Sequence, residues 1–174
     1  MKQVSISILM IVMLSCHEAP ERLGIGRRAT QREIDSLNIS IGPDGRGLPP
    51  GVGTVGSGRV VYQEKCASCH GATGTEVNSN RLVAAFGDTV KAKTIGNYWP
   101  YATTVFDYIR RAMPYNAPGS LTNEEVYSLT AFLLWRNKII DSTVAIHAKS
   151  LPAVVMPARA LYVDDDRRGG NEVR

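Results

Sequence analysis

The sequence is short of several things that would have given it an easy class. Three cysteines in 174 residues are an odd number, too few for a disulfide framework. Aromatic residues make up only 7%, and no stripe of Lys or Arg is interleaved with them, so a nucleic-acid surface lacks its usual ingredients. Neither sign of charge dominates: 20 Lys and Arg against 16 Asp and Glu leave +4, and the basic residues are scattered apart from pairs such as Arg27-Arg28, Arg110-Arg111 and Arg167-Arg168. No convincing period-two alternation occurs, which excludes a β-rich class and leaves an all-α fold as the expectation. What the chain does have is a globular balance of 44% hydrophobic and 21% charged residues, with 16 Gly and 9 Pro making it rich in loops.

The chain begins with a leader-like pattern. Met1-Lys2-Gln3 precedes an apolar run from Ile6 to Leu14, broken only by Ser7. A run this short cannot span a bilayer, which needs about 20 residues, but it suits the apolar region of a secretory signal. Ser15 directly before Cys16 resembles the lipobox of bacterial lipoproteins, in which the cysteine becomes the acylated N-terminus. Met13 stands where that motif usually has Leu. Residues 1–16 are therefore expected to be an export signal, with Cys16 lipidated and the protein held on the periplasmic side of a membrane. The alternative is an ordinary cleaved signal with an incidental cysteine; a lone thiol in an oxidising compartment would be a liability.

Beyond the leader, residues 17–57 form a polar arm broken by turns. Thr30 and Glu33 have capping-box spacing for a short helix running towards Leu37, and Pro43-Asp44-Gly45 is a turn signal. Six glycines and Pro49-Pro50 between Gly45 and Gly58 argue against regular structure there. Gly51 to Gly56 matches GxGxxG on paper, yet a Pro-Pro pair precedes it and no parallel-sheet pattern follows, so dinucleotide binding is rejected. Residues 58–139 form the expected core domain. One helix spans about Arg59 to Ala67, with Ser57 as a possible cap. A second spans about Pro100 to Met113, with Phe106, Ile109 and Met113 on one face and an Asp107–Arg111 pair on another. The third starts in the Thr122/Glu125 capping box, buries Val126, Leu129, Thr130, Leu133 and Leu134, and frays near Asn137. Residues 140–174 read as an extended tail with a disordered end.

Cys66-Ala67-Ser68-Cys69-His70 is C-x-x-C-H, the attachment signature of covalent haem c. Two thiols at this spacing can each add to one vinyl group, and the following His supplies an axial nitrogen. A thioredoxin-like pair would start a helix after a strand, whereas this one ends a helix. A structural zinc site needs four ligands, and the remaining donors are only His17, His147 and Cys16. For the sixth iron ligand, Met113 and Met156 are the methionines outside the leader, and each precedes a proline. The residue before Pro is pushed out of helical geometry, so Met113 should end its helix and turn its thioether aside. Met156, His147 or an open site are the alternatives. Trp99, Tyr101 and Tyr62 are candidates for the cavity wall, and Arg81, Arg110 and Arg111 for carboxylate pairing.

The stretch from Cys66 to Leu134 resembles a class I c-type cytochrome, in which the methionine loop stands where Met113 does. A narrower resemblance covers roughly residues 23 to 158. Gly45-Arg-Gly-Leu-Pro-Pro-Gly51, Tyr98-Trp-Pro-Tyr-Ala-Thr-Thr104, Phe106 to Pro114, Ser150-Leu-Pro152 and Met156-Pro157 are similar to the SoxD-like cytochrome subunits of sulfane and sulfite dehydrogenases. The resemblance implies one haem c per chain, attached at Cys66 and Cys69 and ligated by His70 and Met113. It also implies a partner subunit with a molybdenum cofactor, whose electrons pass singly through the haem to other cytochromes. Cys16 and the charged end after Leu161 depart from the pattern. The arms at 17–57 and 140–163 are expected to wrap that partner. A free-standing lipid-anchored shuttle to a terminal oxidase, or a haem enzyme or sensor with an open sixth site, are the other readings.

Overall fold

The computed structural model describes residues 25–76, 80–89 and 92–163. The leader with Cys16, and the charged end from residue 164 on, lie outside the described residues. Two compact units divide the chain at Asn38 and Ile39.

In the first unit, helix α1 (Gln31–Leu37) starts at the expected capping box. Thr30 N–H donates to Glu33 Oε2 at 2.8 Å, and Glu33 N–H donates to the Thr30 hydroxyl at 3.4 Å. The Arg27 guanidinium bonds both oxygens of Glu33, at 2.8 and 2.5 Å, and with the Thr30 bonds holds that carboxyl down at about 2. No residue of α1 is buried, and Ile34 and Leu37 stand exposed along it.

The second unit contains strand β1 (Val52–Thr54), helices α2 (Val55–Lys65), α3 (Ala67–His70), α4 (Ala102–Ala112) and α5 (Asn123–Arg136), strand β2 (Ala145–His147), and 3-10 turns at Leu151–Ala153 and Pro157–Leu161. The all-α class holds, with one small antiparallel ladder added, Val52 opposite His147 and Gly53 opposite Ile146. Among the described residues no helix is long and apolar enough to cross a membrane.

Helix α5 is the central element. Every residue from Val126 to Leu134 is buried, far more than one stripe, because α2, α4 and β1 pack around it. Its capping box forms as the sequence indicates, Glu125 N–H donating to the Thr122 hydroxyl at 3.2 Å and Thr122 N–H to Glu125 Oε2 at 2.8 Å.

The glycine-rich stretch corrects the sequence expectation. Thr54, not Ser57, caps α2, its hydroxyl accepting from Ser57 N–H at 3.2 Å, and the helix begins at Val55 with Gly56 and Gly58 inside it. The reason is close packing. A Cβ on Gly58 would overlap the Ser128 carbonyl, and one on Gly53 would overlap the Ser128 backbone nitrogen. Residues that read as breakers thus let α2 and β1 approach the backbone of α5.

Parts of the two stretches expected to wrap a partner pack into this core. Tyr127 O–H donates to the Pro49 carbonyl at 2.8 Å. Gly45 turns with φ +86° against the Pro152 ring, where any side chain would collide. Ile146, Leu151 and Met156 are 0%, 0% and 2% exposed. Residues 39–54 and 145–158 together clasp α4 and α5.

Candidate functional site

The C-x-x-C-H run occupies the corner between α2 and α3. Cys66 closes α2, its N–H donating to the Tyr62 carbonyl at 2.9 Å, and His70 N–H returns to the Cys66 carbonyl at 3.0 Å. Both thiols are free, Cys66 half-buried and Cys69 exposed. Burial pushes the Cys66 thiol up to about 11, so it stays protonated. A redox-active C-x-x-C needs the reverse shift. Among the described residues no group of three or more His, Cys, Asp or Glu gathers to hold a metal.

His70 is oriented by its neighbours. Its Nδ1 lies 2.7 Å from the Asn80 carbonyl oxygen. A carbonyl can only accept, so in the neutral ring Nδ1 carries the proton and Nε2 the lone pair, the tautomer that a metal-ligating histidine needs. The chain leaving His70 is held by α2. Tyr62 O–H donates to the Gly71 carbonyl at 2.9 Å and Gln63 Nε2 to the Ala72 carbonyl at 3.0 Å. Tyr62 is fully buried, which raises its phenol to about 12.

Met113 stands at the end of α4. It caps α4 in extended geometry, φ −123° and ψ 145°, as a residue before proline must. Met113, Cys66, Cys69 and His70 all line one cavity of about 830 Å³. Val105 and Ile109 continue the Met113 side along α4, while Leu129 and Leu133 of α5 and Leu82, Ile95 and Trp99 complete an apolar wall. Cofactor pockets run from about 300 to 1,000 Å³ and are apolar with a few placed polar groups. Two thiols, an imidazole with its Nε2 lone pair, a thioether and this volume fit haem c.

Of the other candidates, Tyr62, Trp99 and Arg81 line the cavity. Tyr101 lies under the Arg159 guanidinium at 5.2 Å, Arg110 donates to the Ile39 carbonyl at 3.5 Å, and Arg111 pairs with Asp107. Met156 is core filler and His147 Nδ1 accepts from Lys149 N–H at 3.2 Å within the β2 turn; neither lines the cavity. One residue escaped sequence reasoning. Asn137, 2% exposed, accepts from Ala84 N–H at 3.0 Å and donates to the Leu133 and Leu82 carbonyls at 2.8 and 3.3 Å, pinning the cavity wall at Leu82 to the end of α5. An Asn directly after a buried helical stripe was the available signal.

The family described as cytochrome c oxidase, cbb3-type, subunit III matches residues 53–133. A chain of the crystal structure of the sulfane dehydrogenase SoxCD from Paracoccus pantotrophus is 37% identical, with a TM-score of 0.72, over 84% of this chain and 74% of that one. No curated protein sequence matches significantly. With the attachment motif, the oriented imidazole and the thioether around one cofactor-sized cavity, these similarities show that the chain belongs to the class I c-type cytochromes, electron-transfer proteins that carry covalently bound haem c.

Proposed function

We propose that this cytochrome is the haem subunit of a molybdenum-dependent sulfane or sulfite dehydrogenase, accepting electrons from the molybdoenzyme subunit and passing them singly to other cytochromes. The observation that carries this reading is the similarity to a chain of sulfane dehydrogenase SoxCD, which extends over 84% of the sequence, well beyond the 53–133 haem module. The exposed apolar residues Ile25, Ile34 and Leu37 of the first unit suit a segment that a partner subunit covers.

Cys66 and Cys69 would tether the cofactor through two thioethers, and His70 and Met113 would supply the protein ligands to its iron. Haem c supplies a one-electron couple at iron, and a Met thioether paired with His raises its potential relative to two histidines. Asn80 fixes the His70 ring, Tyr62 and Gln63 hold the loop that follows it, and the apolar wall keeps water away. Cys16 anchors the exported protein by acyl chains, two or more of which hold a protein stably at a membrane.

The partner reading is tested by co-purification of the full-length tagged chain and metal analysis of the complex. Molybdenum is expected at one atom per haem, and a haem protein that returns alone overturns the subunit assignment. Deleting residues 17–38, which stops short of the clasp, is expected to release the partner while leaving the absorption spectrum intact. The ligand reading is tested separately with Met113→Ala. The long-wavelength charge-transfer band of Met-ligated ferric haem should vanish and ferrous protein should bind CO rapidly; a wild type that already binds CO rapidly removes Met113 as the ligand.

A further inference from the structure

Helix α4 has two working sides. Val105, Ile109 and Met113, four residues apart, line the cavity. Thr103, Asp107 and Arg110 face a backbone strap formed by residues 39–43. Ile41 N–H donates to Asp107 Oδ1 at 3.2 Å, the Thr103 hydroxyl to the Pro43 carbonyl at 3.5 Å, and the Arg110 guanidinium to the Ile39 carbonyl at 3.5 Å. Asp107 is the centre of this seam. Its side chain is 10% exposed, its other oxygen accepts from Arg111, and that pairing leaves Oδ1 aimed at the strap. A buried carboxylate that grips both a main-chain N–H and a guanidinium is a strong, directional fastener.

We propose that Asp107 is a positioning residue for Met113: by locking the 39–43 strap to the back of α4, it fixes the rotation and axial position at which the helix presents its terminal thioether to the cavity. The inference rests on the assignment of Met113 as the axial ligand. Asp107 lies under two helical turns before Met113, and a rigid helix carries any roll or slide at one position to the other. A thioether is a weak ligand held by placement rather than by charge, so slack in α4 is expressed as ligand loss before it is expressed as unfolding.

The test uses full-length haem-loaded protein with Asp107→Ala and Asp107→Asn. The Asn variant keeps an acceptor for Ile41 N–H and gives up the charge. Asp107→Ala should weaken the charge-transfer band and speed CO binding to ferrous protein roughly tenfold or more, the scale expected when a buried charged hydrogen bond is removed. Asp107→Asn should stay close to wild type in both readouts. If Asp107→Ala does not accumulate, Asp107→Ser, too short to reach the strap, is read the same way. A truncated variant with wild-type band and CO rate overturns the proposal, and so does an Asn variant as perturbed as the Ala variant. Met113→Ala run in parallel separates the two levels: if it leaves the spectrum unchanged, the ligand assignment fails, whereas a changed Met113→Ala beside an unchanged Asp107→Ala defeats only the positioning role.

Discussion

The cradle and the clasp of this cytochrome are built on opposite plans. The cradle, Cys66–His70 with the Met113 side of α4, gathers side chains with reactive atoms around about 830 Å³ of cavity. The clasp, residues 39–54 with 145–158, together with the start of α2 that continues it, works through backbone: Gly53 and Gly58 against Ser128, Gly45 against Pro152, the Pro49 carbonyl under Tyr127. In the first, removing a functional atom should abolish cofactor binding while the helices persist. In the second, adding an inert atom should unfold the chain while the chemistry of the site is untouched.

The sharpest break in this contrast comes from the cradle. Replacing Cys66 and Cys69 together with Ala removes both thioether positions, and covalent haem is expected to disappear entirely. Haem staining of the denatured polypeptide and its intact mass check this; retained covalent haem would mean that the attachment site is elsewhere.

On the clasp side, Gly58→Val should be the most damaging single substitution. Its side chain must displace the α5 backbone at Ser128, where nothing flexible can yield. Overpacking of this kind costs about 3 kcal/mol or more, enough to empty a marginal fold. Yield and urea unfolding measure it. Gly56→Ala is the matched control, because the only atom near a Cβ there is the Thr54 hydroxyl at 4.0 Å, an ordinary distance. A Gly58→Val protein as stable as that control would refute the close crossing of α2 and α5.

These two plans explain what could be read in the sequence. The capping boxes at Thr30 and Thr122, the apolar face of α4, the attachment motif and the extended Met113 are local patterns, each signalled by residues within one or two turns of one another. The start of α2 and the packing of the clasp on α4 and α5 were illegible for the converse reason. A glycine that relieves a helix crossing looks the same, in sequence, as one that opens a loop, and only its distant partner, Ser128 for Gly58, distinguishes them. Asp107 was legible as half of an i, i+4 pair with Arg111, but its bond to Ile41, 66 residues away, gives it a different weight.

A smaller effect probes the clasp without disturbing its shape. Tyr127→Phe deletes the hydroxyl that donates to the Pro49 carbonyl and keeps the ring that packs on Phe106 with centroids 4.4 Å apart. The loss should be about 1 kcal/mol, the net worth of one such bond. Denaturant melts should show this, with the haem spectrum unchanged. An equal shift in haem potential would mean that the clasp and cradle are not separable at this point.

The smallest expected effect lies where α2, which ends at the cradle, meets the start of α5. Lys65 Nζ sits 2.5 Å from Glu125 Oε1. The hydrogen bond from Lys65, aided by the Thr122 cap, holds the Glu125 carboxyl below its ordinary value. A carboxyl with a depressed folded pKa adds stability above its unfolded pKa, about 4.3, and loses it as the pH falls through the lower folded value. Both side chains are partly solvated, so the pair should be worth no more than about 1 kcal/mol at neutral pH, and less in high salt. Glu125→Gln is the informative change, since Gln still serves the capping box and only the charge is lost. Stability of the two proteins should differ at pH 7 and converge in acid below the folded pKa of Glu125. A difference that persists there would assign the effect to the cap, and with it to α5 alone rather than to its tie with α2.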